Sequence, residues 1–222
     1  MKPRVILYNA VSLDGRFDWF APDIGLFYSL VPKWGEDATM VGTNTLLNPL
    51  TEIPNETAAD LDPVPVDPKD TRPILVVPDS RGRFRNWHFM KQQPYWKGFV
   101  ALCTETTPDD YLSYLQKRNI DCLVLGKEHV DFDQALEALN VRFGIKVVRV
   151  DSGGTLNGVL LRLGLADEVH LLVHPKLVGG ATPKSFFQAS DLSSPDGVIG
   201  LRLKGVEKQS GDILLLSYDV IR

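Results

Sequence analysis

Residues 98–150, GFVALCTETTPDDYLSYLQKRNIDCLVLGKEHVDFDQALEALNVRFGIKVVRV, decide the fold. Short apolar runs at 98–103, 121–125 and 146–150 read as strands, and the stretches at about 108–118 and 132–143 read as helices. Strand, helix, strand, helix, strand in succession is the pattern of βαβ units, which lay their strands parallel and pack their helices on the sheet. This segment therefore predicts an α/β fold with a largely parallel sheet.

Outward from it the same reading continues. Arg4–Val11 (RVILYNAV) is a buried strand, followed by an Asp14-Gly15 turn. Pro22 and Asp23 signal the start of a helix reaching Val31, and Ala38–Gly42 is a short strand feeding a helical turn at Thr43–Leu47. Residues 48–72, rich in proline and acid, predict a long surface loop before the strand Pro73–Pro78. Beyond 150 come a helix at 155–164, an alternating strand at 168–175, and two strands near 198–207 and 212–221. Ser210-Gly211-Asp212 joins that last pair as an antiparallel hairpin. The expectation is a single domain, residues 1–222.

Composition narrows the function classes. A net charge of −4 in 222 residues argues against a general polyanion surface, so no nucleic-acid partner is expected. The N-terminal apolar run is too short for a secretory signal, and no segment is long and apolar enough for a membrane span, so a cytoplasmic protein is expected. Cys103 and Cys122 sit beside apolar runs and read as reduced core residues. His170 and His174 lie four apart on a strand, about 13 Å from each other, too far to share a metal ion. No metal site is expected.

Three stretches carry candidate chemistry. Asp151-Ser152-Gly153-Gly154-Thr155 is a glycine turn between a strand and a helix. Such a turn presents unpaired backbone N–H groups and the positive end of the helix dipole, and Ser152 and Thr155 add hydroxyls. It fits neither the G-x-G-x-x-G nor the G-x-x-x-x-G-K-[ST] spacing, and a plain connection capped by Ser or Thr explains it as well. Asn9–Arg16 emerges past the first strand, where ligands of open α/β sheets bind, although Asp14-Gly15 also suits a mere turn. Met40–Thr45 repeats the theme of strand, glycine, then hydroxyl and amide side chains, with an N-cap as the plain alternative.

The order SLDGR (12–16), MVGTNTLL (40–47), ILVVPDSRGR (74–83) and VDSGGTLNGVLLRLGLADEVHLLVHPKLVGG (150–180) resembles a known family. It is similar to the C-terminal reductase domain of the bacterial riboflavin-biosynthesis bifunctional protein and to the stand-alone archaeal and fungal diaminopyrimidine-ribosylamino-phosphate reductases. The resemblance implies a dihydrofolate-reductase-like fold, an NADPH-dependent reductase and a homodimer. It implies that Ser152, Gly153, Gly154, Thr155 and Leu156 hold the cofactor pyrophosphate and that Ala10 and Val11 lie by the nicotinamide. Gly42, Thr43, Thr45, Ser80, Arg81, Leu125 and Gly126 complete the implied cofactor set. Ser12, Asp14 and Asp151 are the implied substrate residues, with Asp14 and Asp151 as the catalytic carboxylates and Asp23 a weaker one. The reaction the resemblance implies is hydride transfer from the nicotinamide to a ribosylamine-derived imine.

Arg81, Arg83 and Arg85 alternate, so an extended chain would present them on one face to a 2′-phosphate; a solvated charged turn is the plain alternative. The chain also departs from the family. After the N-T pair it reads LNPLTEI (47–53) where members carry D-D-P-x-L-T-x-R, and Asp151 stands where Glu is usual. An arginine or lysine brought near Asp151 from elsewhere in the chain would favour a phosphorylated pyrimidine substrate over a pteridine or another small carbonyl or imine, and Arg16, Lys33 and Arg72 are the ones to check. A non-catalytic nucleotide-binding protein is the reading from another class. The zinc-deaminase signature is absent.

Overall fold

A computed structural model describes residues 1–47, 52–64, 67–180 and 184–221. In chain order the elements are β1 (Arg4–Ser12), α1 (Ile24–Leu30), β2 (Ala38–Met40), α2 (Thr43–Leu47), β3 (Ile74–Pro78), α3 (Trp87–Lys91) and β4 (Gly98–Cys103). Then follow α4 (Asp109–Lys117), β5 (Asp121–Val124), α5 (Phe132–Phe143), β6 (Val147–Val150), α6 (Gly154–Arg162), β7 (Glu168–His174), β8 (Leu201–Lys208) and β9 (Leu214–Val220). The alternation expected over 98–150 is present element for element. Of the loop expected over 48–72, residues 48–51 and 65–66 lie outside the described residues; the rest holds a short 3-10 turn at Ala58–Leu61.

The chain forms two compact units, 1–3 with 36–148 and 4–35 with 149–222. In the first, strands run β5-β4-β3-β2, every neighbouring pair parallel. Parallel strands buried on both faces need continuous apolar runs, and Leu75–Val77 and Phe99–Cys103 supply them. Phe84, Trp87, Met90, Tyr111 and Leu115 close one face. The polar atoms of that face are satisfied internally: Trp87 Nε1–H donates to Tyr111 Oη (3.2 Å), which donates to Phe84 O (3.0 Å). Cys103 is buried, Cys122 half-buried, and both are free thiols, as expected.

In the second unit the order is β1-β7-β9-β8, with β1 and β7 parallel and β7, β9 and β8 antiparallel. The C-terminal hairpin is therefore real, though its strands are shorter than expected and a register shift interrupts it between Leu203 and Gly205. Asp23 caps α1, accepting from Leu26 N–H (2.9 Å), and Phe27 stacks on Tyr8 at 4.3 Å. The expected alternation of β7 fails: all its residues but Leu171 are buried, Glu168, His170 and His174 included, and the rings of Trp34 and Phe20 lie against His170 (5.0 Å) and His174 (5.3 Å) on that face. Its polar residues survive there by pairing. His170 bonds Ser217 Oγ and Glu168 (2.8 Å each), and Glu168 also meets Lys204 (3.0 Å). The α3 helix, five residues long, went unforeseen because so short a segment shows no period.

Candidate active site

Parallel strands point their carboxyl ends the same way, so the loops that follow them gather at one edge. In the first unit these loops are residues 41–45 after β2, 79–85 after β3, 104–107 after β4 and 125–131 after β5. Thr43 Oγ1 donates to Pro78 O (2.8 Å), tying the start of α2 to the end of β3. Asp79, buried, closes the next turn by accepting from Phe84 N–H (2.7 Å), and Gly82 takes φ +63° where a Cβ would strike the Tyr111 ring. Thr107 Oγ1 reaches Ser80 O (2.9 Å), and Glu105 N–H reaches Gly126 O (3.0 Å). Gly42, Thr43, Thr45, Ser80, Arg81, Leu125 and Gly126 are thus all residues of this carboxyl edge.

Sequence reasoning missed Asp79, Thr104 and Thr107, which build it. Their signal was the hydroxyl run Thr104–Thr107 directly after an apolar strand. The three arginines are exposed, as alternation implied, even though Gly82 breaks the extended chain. Arg83 bonds Asn44 Oδ1 (2.7 Å) and Arg85 bonds Asp110 (2.6 Å).

In the second unit the glycine turn is built by two asparagines. Asn9, buried in β1, donates to Ser152 O (2.8 Å), while Asn157 of α6, fully buried, donates to Asn9 Oδ1 and to Phe186 O (2.8 Å each). Ala10, Val11 and Ser12 follow Asn9 on the same strand. No Ser or Thr caps α6: its N-cap is Gly153, with no side-chain cap bond, which removes the plain alternative. The two glycines also differ. A Cβ on Gly154 would stand 2.0 Å from Ser185 O, so its bareness serves the packing of residues 185–188, whereas a Cβ on Gly153 would meet nothing within 4 Å. The open space at Gly153 and the α6 N–H groups beyond it are the features of this turn that an anion could meet, while the Thr155 hydroxyl donates to Gln188 Oε1 (3.1 Å).

Asp151 has a cation, but not one of those expected. Arg149, two residues back on the same face of β6, donates to its carboxylate (3.2 Å) from a buried position. Arg16 instead lies by Asp18 (3.7 Å), Lys33 pairs with Glu207 (2.5 Å) and Arg72 with Asp70 (2.6 Å). The strand period of two was the signal that would have found Arg149. Asp23 and His174 are occupied structurally, Asp23 N–H donating to His174 Nε2 (3.0 Å). Burial holds the Tyr8 phenol, which faces Arg149 and Asp151, above its ordinary range, so it stays neutral.

Asp14 serves first as an anchor. Its carboxylate accepts from Ser12 Oγ (2.6 Å), Val178 N–H (3.1 Å) and Gly179 N–H (2.6 Å), which draws its pKa from 3.8 down to about 2, the Ser12 bond contributing most. A group whose folded pKa is depressed stabilises the fold above its unfolded pKa and loses that contribution as pH falls through the folded value. The attachment of residues 178–179 is therefore expected to hold above pH 3.8 and to release toward about 2. The amide resonances of Val178 and Gly179, followed by NMR from neutral pH downward, should titrate near that lower value. In Asp14→Asn they should lie at the released position at every pH; resonances that never move would show that the carboxylate anchors nothing.

Among the described residues no group of three or more His, Cys, Asp or Glu gathers to hold a metal ion, and no helix is long and apolar enough to cross a membrane. Parallel strands with hydroxyl- and glycine-bearing loops gathered at their carboxyl ends form the edge at which open α/β sheets take their ligands. The chain belongs to the RibD C-terminal domain family, whose model matches residues 34–215.

Relatives spanning nearly the whole chain are reductases by name. The 2,5-diamino-6-ribosylamino-4(3H)-pyrimidinone 5′-phosphate reductase of Methanothermobacter thermautotrophicus is 30% identical, the match covering 99% of both chains. The reductase of the same name from Aquifex aeolicus is 24% identical over 99% of this chain and 97% of its own. Among solved structures, RibD of Acinetobacter baumannii superposes with a TM-score of 0.71 at 20% identity, over 99% of this chain and 58% of that longer protein. That likeness carries the fold, and the fold is the one the motifs implied. The relatives make the chain an oxidoreductase of the riboflavin-biosynthesis reductase family, with a nicotinamide cofactor implied.

Proposed function

We propose that this chain is an NADPH-dependent reductase of 2,5-diamino-6-ribosylamino-4(3H)-pyrimidinone 5′-phosphate or its deaminated uracil counterpart. The observation that carries the reading is the turn at Gly153, uncapped, open on its Cβ side and held by Asn9 and Asn157. When bound, the cofactor supplies the hydride that converts a ribosylamine-derived imine to a ribitylamine. The protein's own part is to hold and orient. The α6 N-terminus with Ser152 and Thr155 seats the pyrophosphate, and the backbone at Ala10 and Val11 lies along the nicotinamide. The resemblance also assigns Gly42, Thr43, Thr45, Ser80, Leu125 and Gly126, at the carboxyl edge of the first unit, to the cofactor. Asp151, oriented by its bond from Arg149, accepts a hydrogen bond from the substrate, and Ser12 and Asp14 shape the substrate side.

Arg81 gives the preference for NADPH, its guanidinium exposed at the strand edge beside Arg83. A cytoplasmic homodimer belongs to the same reading, for which the exposed Leu201, Leu203 and Val206 of β8 offer an apolar surface. The test is cofactor oxidation with the ribosylaminopyrimidine phosphate. NADPH should outperform NADH by about tenfold or more in kcat/KM, a margin of one to two charge-assisted hydrogen bonds. Arg81→Ala should narrow that margin while leaving NADH turnover intact. Absence of binding to either nucleotide would overturn the enzyme reading.

A further inference from the structure

Arg149, 3% exposed near the end of β6, points to the face that the strand period also gives to Asp151. Taking a guanidinium out of water is costly, and an apolar side chain of similar length would fill the same space without that cost. Stability alone is therefore a poor reason to keep a charge there. Its use is visible in the bond it makes, Arg149 Nη1 donating to Asp151 Oδ2 at 3.2 Å.

The surroundings fix that carboxylate closely. One residue on, Ser152 O accepts from Asn9 Nδ2 (2.8 Å), and Asn157 holds Asn9 in turn (2.8 Å), so the backbone beside Asp151 is pinned. Tyr8 is fully buried and lies near both charges. Burial keeps its phenol protonated, while Arg149 lowers its pKa and Asp151 raises it. The phenol proton is committed elsewhere: Tyr8 Oη donates to Phe27 O (3.0 Å), with the Tyr8 ring stacked on Phe27 at 4.3 Å and against Trp34 at 4.4 Å. Tyr8 thus offers Asp151 no proton. Among the described residues no hydrogen bond reaches Asp151 Oδ1, and the side chain is 23% exposed. One oxygen is tied down and the other is left to accept.

We infer that Arg149 is a positioning residue of the reductase: by holding Oδ2 it sets Asp151 Oδ1 as a substrate acceptor of fixed direction. A carboxylate free to rotate must be ordered each time substrate arrives, and one already held need not be. The bond runs from one nitrogen to one oxygen, so the task needs a cation of the right reach more than it needs a guanidinium fork. Arg149 acts through Asp151 and touches neither substrate nor cofactor. The inference rests on the reductase reading above and deepens it, since it names what makes Asp151 effective.

The full-length parent, Arg149→Met, Arg149→Lys, Asp151→Asn and the double variant Arg149→Met with Asp151→Asn are compared in steady-state turnover of the ribosylaminopyrimidine phosphate. NADPH binding by the parent is measured alongside. Arg149→Met should raise KM about tenfold with kcat kept, the size of one charge-assisted hydrogen bond. Asp151→Asn should raise it at least as far. Arg149→Lys should recover most of the loss, because a single donor suffices. The double variant should be no worse than Asp151→Asn alone, since Arg149 works only through that carboxylate. A merely structural role would lower turnover in the Asp151→Asn background as well, so this comparison holds even where Arg149→Met melts earlier than the parent. Additive losses in the double variant overturn the inference, as does a lysine variant as poor as the methionine one. A parental KM in Asp151→Asn also overturns it. In each of those cases NADPH binding and turnover by the parent leave the reductase reading standing. A parent that neither binds NADPH nor turns the substrate over removes that reading, and the inference with it.

Discussion

Replacing Gly153 with aspartate should weaken NADPH binding about a hundredfold while leaving the fold as stable as before or slightly more so. The two effects have separate causes. Gly153 is the N-cap of α6 at φ −74° and ψ 172°, an extended conformation open to any residue, and a Cβ there meets nothing within 4 Å. Aspartate is among the best N-cap residues, and its carboxylate would accept from the N–H groups of the first helical turn. That stabilises the helix by about a few tenths of a kcal/mol, and it places a negative charge in the seat proposed for the pyrophosphate. Like charges about 4 Å apart near a protein surface repel by a few kcal/mol, which is roughly two powers of ten in affinity. Gly153→Ala, which adds a Cβ and no charge, should change both quantities little. Fluorescence titration with NADPH and a thermal melt read the two effects on one sample. An aspartate variant that melts like the parent and still binds NADPH normally would move the pyrophosphate away from α6.

What sequence reveals and what it hides divide along physical lines. The βαβ alternation over 98–150 and the hairpin at the C-terminus were legible because periodicity and turn residues act locally. Asp151-Ser152-Gly153-Gly154-Thr155 was legible as a turn, yet its two glycines looked equivalent. Only the approach of residues 185–188 separates them, and that contact spans some thirty positions of chain. The Asn9–Asn157 bond joins residues 148 apart, and no local pattern announces it. Arg149 was within reach, since a strand places residues two apart on one face. β7 misled for a related reason: Glu and His imitate an alternating polar face until pairing with Lys204 and Ser217 buries them. Asp14, picked as a catalytic carboxylate, turns its oxygens first to the amides of 178 and 179, which no turn motif discloses.

The second large effect is expected at Gly158, one turn into α6. Adding a single methyl there, Gly158→Ala, should destabilise the protein by about 3 kcal/mol, a fall in Tm of roughly 6–12 °C for a chain of this size. Intrinsic propensity points the other way, since alanine favours a helix interior over glycine by about 1 kcal/mol. Packing decides the sign. A Cβ on Gly158 would stand 1.8 Å from Gln188 O and 2.8 Å from Gln188 C, atoms of the backbone that cannot swing aside. Gln188 N–H is held by Gly154 O at 3.0 Å, and its side chain meets Thr155 Oγ1 at 3.1 Å. To admit the methyl, residues 185–188 must lift from the helix, and those bonds and the Asn157 bond to Phe186 O lengthen with it. Because the same residues fix the first turn of α6, NADPH affinity should fall together with stability. In Gly153→Asp the two are expected to part company instead. Calorimetric unfolding of Gly158→Ala beside Gly153→Ala isolates the contact, since each variant adds the same methyl group to the same segment. A Gly158→Ala protein as stable as the parent would mean that residues 185–188 do not rest on α6, and that the two glycines answer only to the helix.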